Sequence, residues 1–213
     1  MGWDEVRKDK EDNGEQQFEK MEFVSFPEGA TQLRITDKEP FSRWKHWVPQ
    51  HNRSYICPGK GCPICNIIKN AKANGEVPKY SSQKRYHIHV IDRNDGKLKI
   101  LENSKTFFGQ LLTIRDTMSK DLGDLTNYDI KVIRTGKGKQ TQWSIIPMGQ
   151  TPLSDKEKEM IKNDRVNFEE YFEPPTPEQL TRLLNGESPE EVFKKEEDTE
   201  EVEVDFTVEN VEF

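Results

Sequence analysis

Apolar residues in this chain recur mostly in short alternating runs, the pattern of strands with one buried and one wet face. Gln32-Leu33-Arg34-Ile35-Thr36, Phe41–Val48, Arg53–Ile56, Arg85–Ile91 and Leu98–Leu101 each read as a strand, with Asn94-Asp95-Gly96 as the turn between the last two. Met21–Phe26 carries a strand signal with poorer alternation, and Ile130–Arg134 with Gln142–Ile146 makes a closing hairpin tipped by the basic, glycine-containing Thr135–Gln140. After Ser104 the period lengthens: Phe108, Leu111, Leu112, Arg115 and Met118 fall on one helical face, and Ser104 is placed to cap that helix. Shorter helices are predicted at Trp3–Lys10, Asn66–Lys72, Ser154–Ile161, Thr176–Leu184 and from Ser188. The fourth of these has Thr176 as cap, Pro177 in its first turn and Gly186 as stop. Lys79–Gln83 reads as a polar linker.

Several short strands with one helix before the last hairpin predict a mainly β, α+β fold, a small Greek-key barrel of the OB-fold type. An α+β sandwich fits the same pattern. The expected organisation is a polar segment over 1–20, the barrel over 21–150, a helical extension over 151–195 and a disordered acidic tail over 196–213. Among 213 residues, 32% are hydrophobic and 33% charged, too polar for packed core throughout. No run resembles a signal peptide or membrane span, so a soluble protein of the cytoplasm, with no membrane partner, is expected.

Charge is divided along the chain. Residues 1–30 carry −5, residues 31–150 carry +11 and residues 151–213 carry −13, within a net charge of −7. A basic centre between acidic ends suits a polyanion such as nucleic acid. From Glu196 to Phe213 there are nine acidic residues and no basic one, a composition that cannot bury enough apolar surface to fold alone.

All three cysteines fall within the run Cys57-Pro-Gly-Lys-Gly-Cys62-Pro-Ile-Cys65, and His46 lies shortly upstream. Three thiolates and an imidazole complete a closed tetrahedral zinc shell, the structural kind. Gly59 and Gly61 let the chain wrap the ion, in an inserted subdomain spanning about 44–80. His51, in the turn after the strand, competes for the fourth position, but His46 would be held more rigidly.

Strand parity places Trp44 and Val48 with His46, and Arg43, Lys45 and Trp47 on the opposite face. Cations interleaved with an aromatic ring suit single-stranded nucleic acid, since lysines track phosphates and rings stack bases. Arg53, Lys84-Arg85-Tyr86 and the hairpin residues Arg134, Lys137 and Lys139 extend the candidate surface. Catalysis is not expected. A zinc nucleobase deaminase needs H-x-E before P-C-x-x-C and an open metal position, whereas Gly61 precedes Cys62 here and four ligands would fill the shell.

His46-Trp47-Val48, Tyr55-Ile56-Cys57 and Cys62-Pro63-Ile64-Cys65 together resemble the zinc subdomain of T-even-type phage single-stranded DNA-binding (helix-destabilising) proteins. The resemblance runs on through Tyr80-Ser81 and Lys84-Arg85-Tyr86 and covers roughly residues 20–150. It implies an OB-fold with structural Zn2+ and a DNA groove reached by Tyr80, Lys84, Arg85, Tyr86 and Trp47. It also implies roles in phage DNA replication, recombination and repair, in the cytoplasm of the bacterial host. The basic N-terminal arm of that family has no counterpart in the acidic residues 1–20. Asp205-Phe206 and the terminal Phe213 resemble the partner-docking tips of bacterial single-stranded DNA-binding proteins, which implies replication or recombination proteins as partners of the tail. The alternative reading is a zinc-stabilised adaptor that recruits replication or transcription proteins through this tail.

Overall fold

The computed structural model describes residues 21–194. The Trp3–Lys10 helix and the tail residues Asp205, Phe206 and Phe213 lie outside the described residues. Seven strands form one antiparallel sheet: β1 (Gly29–Ile35), β2 (Phe41–Val48), β3 (Arg53–Ile56), β4 (Ser81–Asp92), β5 (Leu98–Ser104), β6 (Tyr128–Thr135) and β7 (Gln142–Gln150). With its helices the chain is of the α+β class. No helix among the described residues is long and apolar enough to cross a membrane.

The long strand β4 organises the sheet. Along one edge it pairs with β5, from Arg85↔Ser104 to Ile91↔Leu98. Along the other edge it pairs first with β2, from Trp47↔Ser81 to Phe41↔His87, and then with β1 at Ile35↔Val90. β1 and β2 therefore lie end to end, with residues 36–40 looping out between them. Leu33 and Arg34 pair on both sides, to Asp92 and Ile91 of β4 and to Ile130 and Asp129 of β6. β3 and β7 are the two ends of the hydrogen-bonded path.

The inward residues Leu33, Ile35, Ile88, Val90, Leu101, Ile130 and Val132 close on the helix α2 (Lys105–Leu122), which inserts Phe107, Phe108 and Leu111. Ser104 caps that helix, its hydroxyl accepting from the Phe107 N–H. The buried face is turned slightly from the expected one. Leu112 is 47% exposed, and Ile114 packs on the core instead, because the stripe runs through Phe107, Leu111 and Ile114.

Two expected segments differ. Met21–Phe26 is not a strand; it makes a single parallel bridge, Phe23 to Ile100, closed by Val24 N–H to Ile100 O and Ile100 N–H to Glu22 O, both 2.9 Å. Ser81–Gln83 is strand rather than linker: it pairs with Trp47, His46 and Lys45. Its polar sequence reflects an exposed ribbon, where no apolar alternation is required. Pro147 sits inside β7, which tolerates it as an end strand, next to the irregularity between Tyr128 and Ile130.

One polar cluster is enclosed. Arg34 is fully buried with its Nε 2.6 Å from Asp129 Oδ1, and Arg93 adds Nε and Nη2 to the same carboxylate at 2.8 and 3.0 Å. Arg93 also reaches Glu157 of the helix α3 (Asp155–Asp164) and so ties that helix to the sheet.

The rest of the C-terminal region covers two surfaces. Phe168, in the short helix α4 (Phe168–Tyr171), stacks on His89 at 4.1 Å between ring centres, and Phe172 lies 4.0 Å from His87. Leu180 and Leu183 of α5 (Pro177–Leu184) and Val192 of α6 (Pro189–Val192) join Val48, Tyr55, Cys62, Ile64 and Tyr80 in a second core. At about 1.5–3 kcal/mol for each fully buried side chain, these contacts hold the extension onto the cysteine loop.

Candidate metal centre and nucleic-acid interface

Four donor atoms converge from three local structures. β2 delivers His46, fully buried; Cys57 follows β3, its N–H donating to Trp44 O at 2.8 Å. Cys62 is the N-cap of α1 (Pro63–Ala73) and Cys65 lies in its first turn. The helix begins three residues earlier than Asn66 because Pro63 suits the first helical position, where no N–H is needed. Gly59 and Gly61 have φ of 79° and 80°, a conformation natural to glycine, and so close the loop between the sulfurs.

Zinc bonds of about 2.3 Å to sulfur and about 2.0–2.1 Å to nitrogen, set tetrahedrally, imply separations of about 3.8 Å between sulfurs and about 3.5 Å from sulfur to nitrogen. Here Cys57 and Cys65 Sγ are 3.6 Å apart, and His46 Nε2 lies 3.4 Å from Cys62 Sγ and 3.5 Å from Cys65 Sγ. All four donor atoms lie within 4.8 Å of one another, and the group could hold a metal ion such as zinc.

The electrostatics fit a cation. Burial lowers the His46 pKa, only partly offset by the Ser81 backbone, so the imidazole stays neutral as a ligand must. Burial pushes the Cys57 thiol up, and it pushes Cys65 up to about 12, aided by the neighbouring Cys57 and Cys62. Three sulfurs this close cannot all ionise without a positive centre among them. His51 is engaged elsewhere: its Nε2–H donates to Leu183 O at 2.9 Å, holding the turn against α5.

The cationic and aromatic candidates divide between two faces of the β2–β4 ribbon. Arg43, Lys45, Trp47 and Arg85 share one face with His87; Trp44, Lys84 and Tyr86 share the other with His46, since Trp44 pairs with Lys84 and Ser42 with Tyr86. Lys45, Trp47, Ser54, Ser81, Gln83 and Arg85 line a groove on the His87 face. Trp44 is 50% and Trp47 40% exposed, whereas Tyr86 is half-buried against Phe108, 5.4 Å between ring centres.

Other candidates are placed apart. Tyr80 is buried in the second core, and its hydroxyl accepts from Gln50 Nε2 at 3.3 Å, so it has no ring face for a base. Arg53 lies at the start of β3 with its guanidinium 5.9 Å from the centre of the Tyr55 ring. Arg134 donates to Phe26 O at 2.7 Å on β6, separated from β2 by β4 and β1, and Lys137 is exposed beyond it in the hairpin tip. Lys139 shares that tip, and its side chain lies outside the described residues.

Three exposed residues near Tyr86 were absent from the sequence-derived candidates: Trp44, Lys38 and Lys105. Parity alone assigned Trp44 to the His46 face; only the β2–β4 register sets it beside Lys84.

No family model and no solved structure matches the chain. It is similar to a probable ssDNA-binding protein of Escherichia phage T5, with 26% identity over 145 residues. The match covers 60% of this chain and 55% of that protein, so the chain spans little more than half of its relative's length.

Proposed function

We propose that this protein binds single-stranded DNA without sequence preference, as a non-catalytic component of phage DNA replication, recombination or repair in the host cytoplasm. The observation that carries the reading is β2 itself. The strand that supplies His46 projects an exposed tryptophan from each face, Trp44 and Trp47, each beside lysine or arginine. Such rings stack unpaired bases for about 1–3 kcal/mol each, while the cations track the backbone. The name of the phage T5 relative supports the same reading.

Zinc on His46, Cys57, Cys62 and Cys65 would be structural, because four protein ligands leave no position for substrate or water. Its chemistry there would be to neutralise three thiolates and pin the cysteine loop to the ribbon. The pairing of β1 with both β4 and β6 supports an OB-type arrangement of the sheet.

The test is a fluorescence titration with poly(dT) at several salt concentrations. Log affinity should fall with log salt by about 0.7 per phosphate neutralised. Binding that ignores salt, or that prefers a duplex sequence, would overturn the proposal.

A further inference from the structure

The two faces of the β2–β4 ribbon differ in how far their cations are already engaged. On the His87 face Arg43 is paired with Glu169, and Glu102 takes Lys45 and, at 3.9 Å, Arg85. A phosphate arriving there has carboxylates to displace. On the opposite face Lys84 holds its Nζ 5.4 Å from the centre of the Tyr86 ring, and Lys84, Lys105 and Lys38 have no acidic partner among the described residues. Among the described residues, a phosphate there has no paired carboxylate to displace from these lysines.

A pocket of about 230 Å³ opens on this same face, between the 36–40 loop, β4 and α2. Tyr86 and Phe108, stacked at 29°, form one wall; Pro40 and Leu112 belong to the lining, as do Lys38 and Lys105. Glu39, the carboxylate in the lining, is held by Arg115 at 3.3 Å. The pocket is smaller than the roughly 300–1,000 Å³ usual for a whole small-molecule ligand. An aromatic wall with lysines beside it that have no acidic partner among the described residues suits a flat ring carrying phosphates on either side.

Building on the proposed function, we infer that the DNA strand runs over the Trp44–Lys84–Tyr86 face, not the Arg43–Lys45–Trp47 face. One base enters the pocket against Tyr86 and Phe108, flanking phosphates lie on Lys84 and Lys105, and a neighbouring base stacks on Trp44.

Trp44 and Trp47, exposed on opposite faces, make this testable in the 213-residue chain loaded with zinc. Oligo(dT) should quench the intrinsic fluorescence of Trp47→Phe nearly as in the parent, while Trp44→Phe should lose most of the quench. In anisotropy titrations Lys84→Ala with Lys105→Ala should flatten the salt slope by about 1.4, at about 0.7 per phosphate. Leu112→Glu, at an exposed helix position, should weaken binding at least tenfold with an unchanged melting temperature. Loss of quench in Trp47→Phe, with parent-like binding by the lysine and Leu112 variants, would overturn the inference and leave the proposed function standing. A parent protein that ignores oligo(dT) would bring down both.

Discussion

Glu102 is the charge on which the His87 face is organised, and replacing it with glutamine isolates its contribution. Burial alone would raise its pKa, but the hydrogen bonds from His87 and Lys45, with the Lys45 charge, outweigh burial and hold it down to about 2. His87 itself is kept neutral, since burial lowers its pKa more than Glu102 raises it. Its Nε2–H therefore donates to Glu102 Oε2, at 2.9 Å. The drop from 4.5 to about 2, at about 1.4 kcal/mol per pH unit, is worth about 3 kcal/mol. The side chain is 23% exposed, so solvent screening trims this towards 2 kcal/mol. A depressed carboxylate stabilises the fold above its unfolded pKa, and that contribution is lost as pH falls through its folded pKa. Urea unfolding of Glu102→Gln beside the parent should show a gap of about 2–3 kcal/mol at pH 7. The gap should shrink between pH 4.5 and about 2 and be nearly closed at the low end. Comparison at equal pH makes any loss of a bound metal in acid common to both proteins. A gap that is constant over this range, or smaller than about 0.5 kcal/mol at pH 7, would refute the account.

Three further outcomes are expected. Chelation should raise hydrogen exchange in residues 57–73 while β1 and β6 stay protected; the loss should fall short of the roughly 10–16 kcal/mol of isolated zinc modules, because Leu180, Leu183 and Val192 still cover the loop. A chelated protein with an unchanged melting curve would contradict a structural ion. Leu183→Ala, at a site 1% exposed, should cost about 2–5 kcal/mol and speed exchange in α1 and β3 more than in β6, as measured by mass spectrometry. Asp129→Asn should cost about 3–5 kcal/mol in urea unfolding, because Arg34 would remain fully buried without its counter-charge. A cost under 1 kcal/mol would show that the Arg34 charge finds another partner.

Much of the sheet was legible because its strands alternate. The bounds expected for Phe41–Val48 and Arg53–Ile56 match β2 and β3, and the parity argument correctly set Trp44 and Val48 with His46. The convergence of His46 with the three cysteines was legible from residue type and spacing alone. Other features depend on register or on long-range packing, which leave no local trace. Lys84 and Arg85 are neighbours in sequence yet face opposite sides, so one basic cluster became two. Tyr80 reads as a surface aromatic until α5 and α6 arrive to bury it. The Phe168–Phe172 cover has only a four-residue helix behind it, too short for a periodic signal. Ser81–Gln83 is polar because it is ribbon edge to edge with β2, wet on the side where a barrel strand would be dry.

The packing of α5 and α6 on the cysteine loop also sets an order of events during synthesis. Cys65 leaves the ribosome roughly 130 residues ahead of Val192, an interval of about 6–25 s at ordinary elongation rates. Once β4 has followed, the nascent sulfurs have their loop and ribbon but not their lid. An ion captured early would be open to exchange with competing chelators, and an uncaptured loop would be open to oxidants. The helices arriving later then bury Cys62 while Cys57 and Cys65 stay partly exposed, so they would slow, without ending, any later change in what the centre holds.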